Sequence, residues 1–239
     1  MLPLDRQEVY RRRYASENPT WRSSGARLET WVRAAAGPTS RVFDLGAGRG
    51  GVHELIWADV ALCIGVDPDH ASLTGRRVPL PVAQAWGDRL PLADRQFDLA
   101  LAIWVLEHVA DPAATLGEIA RVLRPGGRLI FLTPNRRHPL IVANRLSQAL
   151  PQLQRRLVPA LYGRDAADTF RVHYRANSSN TLTTLADGCG LVLERLEVVP
   201  DPTYLAFNEL AYKLACRFEA WLPAGWGVHL LGQMVKPGS

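Results

Sequence analysis

Lysine is nearly missing from this chain. Lys213 and Lys236 stand alone in a basic complement of 28 residues that is otherwise arginine. A guanidinium therefore marks no site merely because a lysine was not used there. Cysteine is scarce as well. Cys63, Cys189 and Cys216 are odd in number and far apart, which excludes a disulfide framework and a C-x-x-C metal knuckle. No charge-free apolar run approaches the roughly 20 residues of a membrane span; "LALAIWVL" at 99–106 is strand-sized. An apolar run is also lacking in "MLPLDRQEVYRRRY", where a secretory signal would carry one. The expected location is a reducing cytoplasm. There are no internal repeats and no low-complexity segment, so solenoids and disordered arrays are excluded.

What is present is an ordinary globular composition, 47% hydrophobic over 239 residues. The charge is unevenly spread. Between Asn135 and Arg175 lie eight arginines against Asp165 and Asp168, a net +6, while the whole chain carries +5. Everything outside that segment sums to −1. This is a near-neutral protein with one basic insert, in which "HPLIVANRLSQALPQLQRRLVPALYG" alternates apolar residues with arginines. That pattern suits a lid over an anionic or lipid-linked substrate, or a membrane surface. Clustered aromatics for base stacking are lacking, so no nucleic-acid partner is expected.

Short apolar runs rich in β-branched residues predict strands at 41–45, 61–66, 97–103 and 127–133. Helical patterns lie between them, at "GVHELIWA" and at 111–123, where Asp111 can cap and Pro112 sits in the first turn. Arg124-Pro125-Gly126-Gly127 then turns the chain into the next strand. Strand–helix alternation means parallel βαβ units. Further on, 181–190 reads as a helix and 191–199 and 227–236 as strands. Within 205–222, Phe207, Leu210, Ala211, Leu214, Ala215, Phe218, Trp221 and Leu222 form an apolar stripe, with Glu209, Lys213 and Arg217 on the other face. One α/β domain is expected over 1–239. It divides into N-terminal helices (1–37), a cofactor core (38–134), a basic helical cap (135–178) and a C-terminal part of the core (179–239).

"VFDLGAGRGG" at 42–51 contains G-x-G-x-x-G, the pattern of a dinucleotide loop, but alone it is weak evidence. The residue two before the first glycine is Asp44, where a dinucleotide site has an apolar one. An acid at the end of the first strand suits a cofactor carrying an ammonium group. Asp67 ends the second strand, where a carboxylate can bind a ribose diol. Asp88, between the strands at 61–66 and 97–103, can accept from an adenine amine.

In these motifs, with "GVDPD", "GDRLPLADRQFD", "LALAIWVLEHVADP" and "LRPGGRLIFLTPN" following in order, the sequence resembles the class I S-adenosylmethionine-dependent methyltransferases, in the group related to the ubiquinone-biosynthesis type. The resemblance runs from about Arg41 to Pro134. It implies a Rossmann-like three-layer α/β sandwich with a seven-stranded, mostly parallel sheet whose last strand is antiparallel. It places Asp44, Gly46, Ala47 and Gly48 at the methionine end of S-adenosyl-L-methionine, Asp67 and Pro68 at the ribose, and Asp88, Arg89 and Leu90 at the adenine. Ile103 and Trp104 wall the pocket. Quinone-methylating relatives carry Glu-x-x-Glu-His, a candidate metal constellation. Here Trp104 takes the place of the first ligand, so no metal is expected beside Glu107 and His108. The candidate proton acceptors are His108 and His173, with His138 a third. Tyr10, Arg13, Tyr14 and Trp21 are candidates for a lid. The expected acceptor is a small molecule or a glycan- or lipid-linked one, methylated at oxygen, with peripheral contact to the inner membrane face through the basic insert. Two other readings stay open: a catalytically silent binding or regulatory subunit, and an NAD-linked oxidoreductase, which Asp44 disfavours.

Overall fold

The computed structural model describes residues 4–148, 171–206 and 208–238. In chain order the elements are α1 (Leu4–Glu17), α2 (Ser24–Ala35), β1 (Arg41–Leu45), β2 (Leu62–Asp67), α3 (His70–Thr74), β3 (Val82–Gln84), β4 (Phe97–Ile103), α4 (Pro112–Val122), β5 (Leu123–Pro134), α5 (Pro139–Gln148), α6 (Ser179–Gly188), β6 (Val192–Val199), α7 (Glu209–Trp221) and β7 (His229–Val235). The chain divides into two compact units. One comprises 27–134, 172–197 and 230–239; the other comprises 1–26, 135–171 and 198–229.

The first of these holds the sheet, in the order β3-β2-β1-β4-β5-β7-β6. Strands β3, β2, β1, β4 and β5 are parallel neighbours. β7 runs against them: Gly126 N–H donates to Lys236 O at one end of β5, and Asn135 N–H donates to Val228 O at the other, so rising numbers on β5 meet falling numbers on β7. The sheet is thus mostly parallel with an antiparallel last strand, as the motifs imply. β1 and β4 read as continuous apolar runs because both faces are covered. Phe43, Leu99, Leu101, Leu129 and Phe131 are fully buried, and Phe43 meets Phe97 edge-on with ring centres 5.2 Å apart. Asp111 caps α4 by accepting from Ala114 N–H at 3.0 Å, and Leu116 and Ile119 turn inward.

Two local expectations are corrected. "GVHELIWA" forms only a single 3-10 turn, Val52–Leu55, because His53 is drawn inward to a buried partner on β1. β5 begins directly at Leu123, so the expected turn at 124–127 is absorbed into the strand's irregular start.

The other unit packs α1 and α7 together. Tyr10 stacks on Tyr212 with centroids 5.1 Å apart, the Arg13 guanidinium lies 4.8 Å over the same ring, and Tyr212 donates to Glu17 Oε2 at 2.7 Å. Tyr14 meets Trp21 edge-on, and Trp21 Nε1–H donates to Pro200 O at 2.9 Å. The residues considered as a lid are therefore committed to packing inside this unit. The basic insert opens as a helix at α5; its residues 149–170, Arg155, Arg156 and Arg164 among them, lie outside the described residues.

Apart from Ala215, the large apolar residues of the α7 stripe do not face inward, and Arg217, expected on the opposite face, lies among them. The buried side of the helix carries Tyr212 and Ala215, with Glu219 beside them. Leu210 is 68% exposed and Trp221 91%. The aromatic and acidic groups of α1 select the Tyr212 side, because Tyr212 offers both a ring to stack and a hydroxyl to bond.

Candidate cofactor and acceptor site

Strand order reverses between β1 and β4, and ligands of open α/β sheets bind at the carboxyl ends beside such a switch. Asp44, Asp67, Ile103 and Trp104 all stand at that edge, on β1, on β2 and at the end of β4. The loop after β1 is held down by Gly46 N–H and Ala47 N–H, which donate to Val66 O at 2.7 and 3.2 Å. Gly46 has φ 74°, and a Cβ there would stand 2.2 Å from Val105 Cγ2 on the loop after β4, so only glycine allows the two loops this approach. Gly48 has φ 52°, and a Cβ on it would meet nothing within 4 Å. The loop is therefore open on that side, leaving a cradle with room for a ligand. Ala47 is buried.

The Asp67 carboxylate spans the loop. Oδ2 accepts from Gly48 N–H at 2.9 Å, and Oδ1 accepts from Asp69 N–H at 2.8 Å. A carboxylate has about four acceptor positions, so each oxygen retains a lone pair for a diol. Pro68 follows, half-buried, its carbonyl accepting from Gln84. Asp44 is buried, with Oδ2 2.6 Å from His53 Nδ1. Burial pushes the Asp44 carboxyl up, and His53 draws it back. The sequence motifs do not single out His53. Its one signal there is a polar residue in the first turn after the glycines, nine positions from Asp44.

Of the residues that the resemblance assigns to the adenine, Asp88 and Arg89 are exposed, while Leu90 is buried with its N–H donated to Glu118 Oε2 at 2.8 Å. Leu90 therefore offers a side chain rather than a free N–H. Trp104 is 38% exposed with φ 60°, a left-handed conformation that costs a bulky residue energy, and its N–H donates to Leu132 O at 2.8 Å. This bend turns the chain out of β4 toward Glu107.

Glu107 is buried, and its Oε2 accepts from Thr133 Oγ1 at 3.0 Å. Asn177 Nδ2 donates to the same hydroxyl at 2.6 Å and to Pro134 O at 3.0 Å. The Glu107 carbonyl accepts from His173 N–H at 2.6 Å and Tyr174 N–H at 3.1 Å. Burial raises the Glu107 carboxyl to about 7. The backbone thus brings His173 to Glu107, the sequence neighbour of His108, although the two histidines are 65 positions apart. His138 is otherwise occupied: Leu140 N–H donates to Nδ1, leaving Nε2 to face Glu219 Oε2 at 3.2 Å. Among the described residues no three His, Cys, Asp or Glu side chains gather as a metal site.

Comparison with known proteins bears on what this arrangement holds. The family described as "Methyltransferase domain" matches residues 43–131, from the middle of β1 to the middle of β5. This stretch belongs to the class I S-adenosylmethionine-dependent methyltransferases. S-adenosyl-L-methionine is the cofactor, and the Gly48 cradle and the spare lone pairs of Asp67 fit it. A demethylmenaquinone methyltransferase of Mycobacterium sp. (strain KMS) is 38% identical over 134 residues, covering 54% of this chain and 58% of the relative. The chain thus spans little more than half the length of that relative. Among solved structures, geranyl diphosphate C-methyltransferase from Streptomyces coelicolor A3(2), in complex with Mg2+, geranyl diphosphate and S-adenosyl-L-homocysteine, superposes with a TM-score of 0.60 at 16% identity, covering 88% of this chain and 80% of that one. The [4+2]-cyclase SpnF superposes with a TM-score of 0.59 at 17% identity, covering 92% and 87%. Likenesses at this identity describe the fold alone.

Proposed function

We propose that this protein transfers the methyl group of S-adenosyl-L-methionine to a lipophilic small-molecule acceptor, with a prenylated quinol as the first compound to test. The observation that carries the reading is the Asp67 carboxylate bridging Gly48 and Asp69 while keeping acceptor capacity on both oxygens. Support for the acceptor class comes from the relatives named as demethylmenaquinone methyltransferases. When bound, the cofactor supplies an electrophilic methyl on a sulfonium, and the protein's task is alignment and exclusion of water.

In this reading Asp67 holds the ribose diol and Asp44 faces the ammonium of the methionine end, with His53 orienting its carboxyl. Asp88 accepts from the adenine amine, and Leu90 packs beside it. Trp104, bent out of β4, walls the acceptor side. An acidic quinol or phenol needs little help in losing its proton; a sugar hydroxyl would need a base in contact with it. His108 and His173 are the candidates for that base.

The test has two arms. Calorimetry with S-adenosyl-L-methionine and with NADH should give binding of the first alone. Labelled cofactor with demethylated, short-chain prenyl quinols should then give a methylated product. NADH binding in place of S-adenosyl-L-methionine would reject the cofactor assignment. A second reading is a cofactor-binding subunit without methyl transfer, since one fold hosts unrelated functions. Tight cofactor binding with no methylated product from quinols or from a cell extract would select it.

A further inference from the structure

We infer that α7 is an interfacial helix that seats the protein on an anionic lipid surface. This rests on the helix face alone and does not depend on which acceptor is methylated. At 100° per residue, Leu210, Leu214, Arg217 and Trp221 fall within one narrow sector, with Phe218 on one side and Lys213 on the other. The opposite sector carries Tyr212, Ala215 and Glu219, which are turned inward. The outward sector is 68% exposed at Leu210, 55% at Leu214 and 91% at Trp221. Four large apolar side chains on one exposed face are more than the scattered singles of an ordinary surface. On α5, in the same unit, Val142 and Leu146 are exposed with Arg145 between them, repeating the pattern of apolar pair and cation.

The charges decide what sits on this face. Leu210, Leu214, Arg217 and Trp221 are spaced four, three and four apart, the spacing of a coiled-coil seam. A second copy or another helix would have to bury Arg217 in the middle of that seam, where apolar residues are required. At a bilayer the same arginine reaches up to the headgroups along its own methylenes, while Leu210, Leu214 and Trp221 enter the acyl boundary. Tryptophan favours that boundary, and lysine and arginine on the face meet anionic lipid. In the same unit Arg136, Arg137 and Arg145 are exposed and add attraction of the same sign.

The experiment is co-sedimentation with vesicles of mixed phosphatidylglycerol and phosphatidylcholine, and of phosphatidylcholine alone. It compares wild type, Leu214→Glu/Trp221→Glu, and Lys213→Gln/Arg217→Gln. All four positions are exposed, so circular dichroism and S-adenosyl-L-methionine affinity should match wild type, which separates loss of lipid binding from loss of fold or of cofactor function. Wild type should pellet with the anionic vesicles. The apolar variant should lose at least tenfold in partitioning, and the cation variant should fall to the level that wild type shows on phosphatidylcholine alone. The inference is overturned if wild type stays in solution with anionic vesicles at low salt. Equal pelleting of wild type and the apolar variant would also overturn it, since the basic insert would then suffice. So would a wild-type dimer, seen by sedimentation velocity, that the apolar variant splits, since that places a second copy on the face.

Discussion

The Asp67 carboxylate accepts a hydrogen bond from Gly48 N–H at 2.9 Å, tying the end of β2 to the glycine loop that follows β1. One side chain thus sets the loop's height and offers lone pairs to a diol. Asp67→Ala should lower S-adenosyl-L-methionine affinity on the order of tenfold to a hundredfold, since hydrogen bonds to a charged group are worth about 1.5–3 kcal/mol. Titration calorimetry on the folded variant measures it, and unchanged affinity would reject the assignment. Asp67→Asn keeps one acceptor oxygen and should fall between the two.

Gly46→Ala tests the contact between the loops after β1 and β4. The added methyl would lie 2.2 Å from Val105 Cγ2, on a residue whose φ of 74° already disfavours any side chain. Overpacking costs about 1–3 kcal/mol, and the left-handed backbone adds roughly 1 kcal/mol. Urea unfolding should show the loss. Val105→Ala in the same chain should return part of it, because the clash is with that side chain. Failure of Val105→Ala to help would mean that the backbone conformation carries the whole cost.

His53→Ala removes the partner of a carboxylate on β1 that is buried beside it. Leaving a buried polar group without its partner costs about 1–3 kcal/mol. The variant should unfold at lower urea and bind the cofactor more weakly than His53→Gln, whose amide can still donate to Asp44. Equal behaviour of the two would show that the bond is dispensable.

Strands and cofactor motifs were legible in the sequence because both rest on local patterns. β1 and β4 are buried on two faces and so read as apolar runs, Asp44 and Asp67 are the last or last-but-one residues of β1 and β2, and Asp88 lies shortly after β3. What depends on distant partners was hidden. His53 belongs to the site only because a single turn aims it at Asp44, and His173 meets Glu107 through backbone hydrogen bonds across 66 positions of sequence. The direction of α7 was unreadable for a related reason. Periodicity locates an apolar stripe, but stacking and hydrogen bonding at Tyr212 decide which side of the helix turns inward.

Glu107 should make stability fall as pH rises. Its carboxyl is raised by burial to about 7 from an ordinary value near 4.5, with the Thr133 hydroxyl opposing part of that rise. Between those two values the folded protein keeps the proton while the unfolded chain has released it, so the unfolded state binds fewer protons and unfolding becomes easier as pH increases. The stabilisation is complete below the unfolded value and is lost as pH passes through about 7. Its size is on the order of 3 kcal/mol, because each tenfold gain in proton affinity is worth about 1.4 kcal/mol. His229 works in the opposite sense. Burial lowers it to about 3, so its contribution is lost as pH falls below the ordinary histidine value. The two effects are separated by taking the difference between wild type and Glu107→Gln, which keeps an oxygen for the Thr133 hydroxyl. Urea unfolding at intervals from pH 5 to pH 8 should give wild type a steeper decline than the variant over that range, with the His229 contribution cancelling. Parallel curves would mean that Glu107 is ionised in the fold throughout, and the pH dependence assigned to it would be rejected.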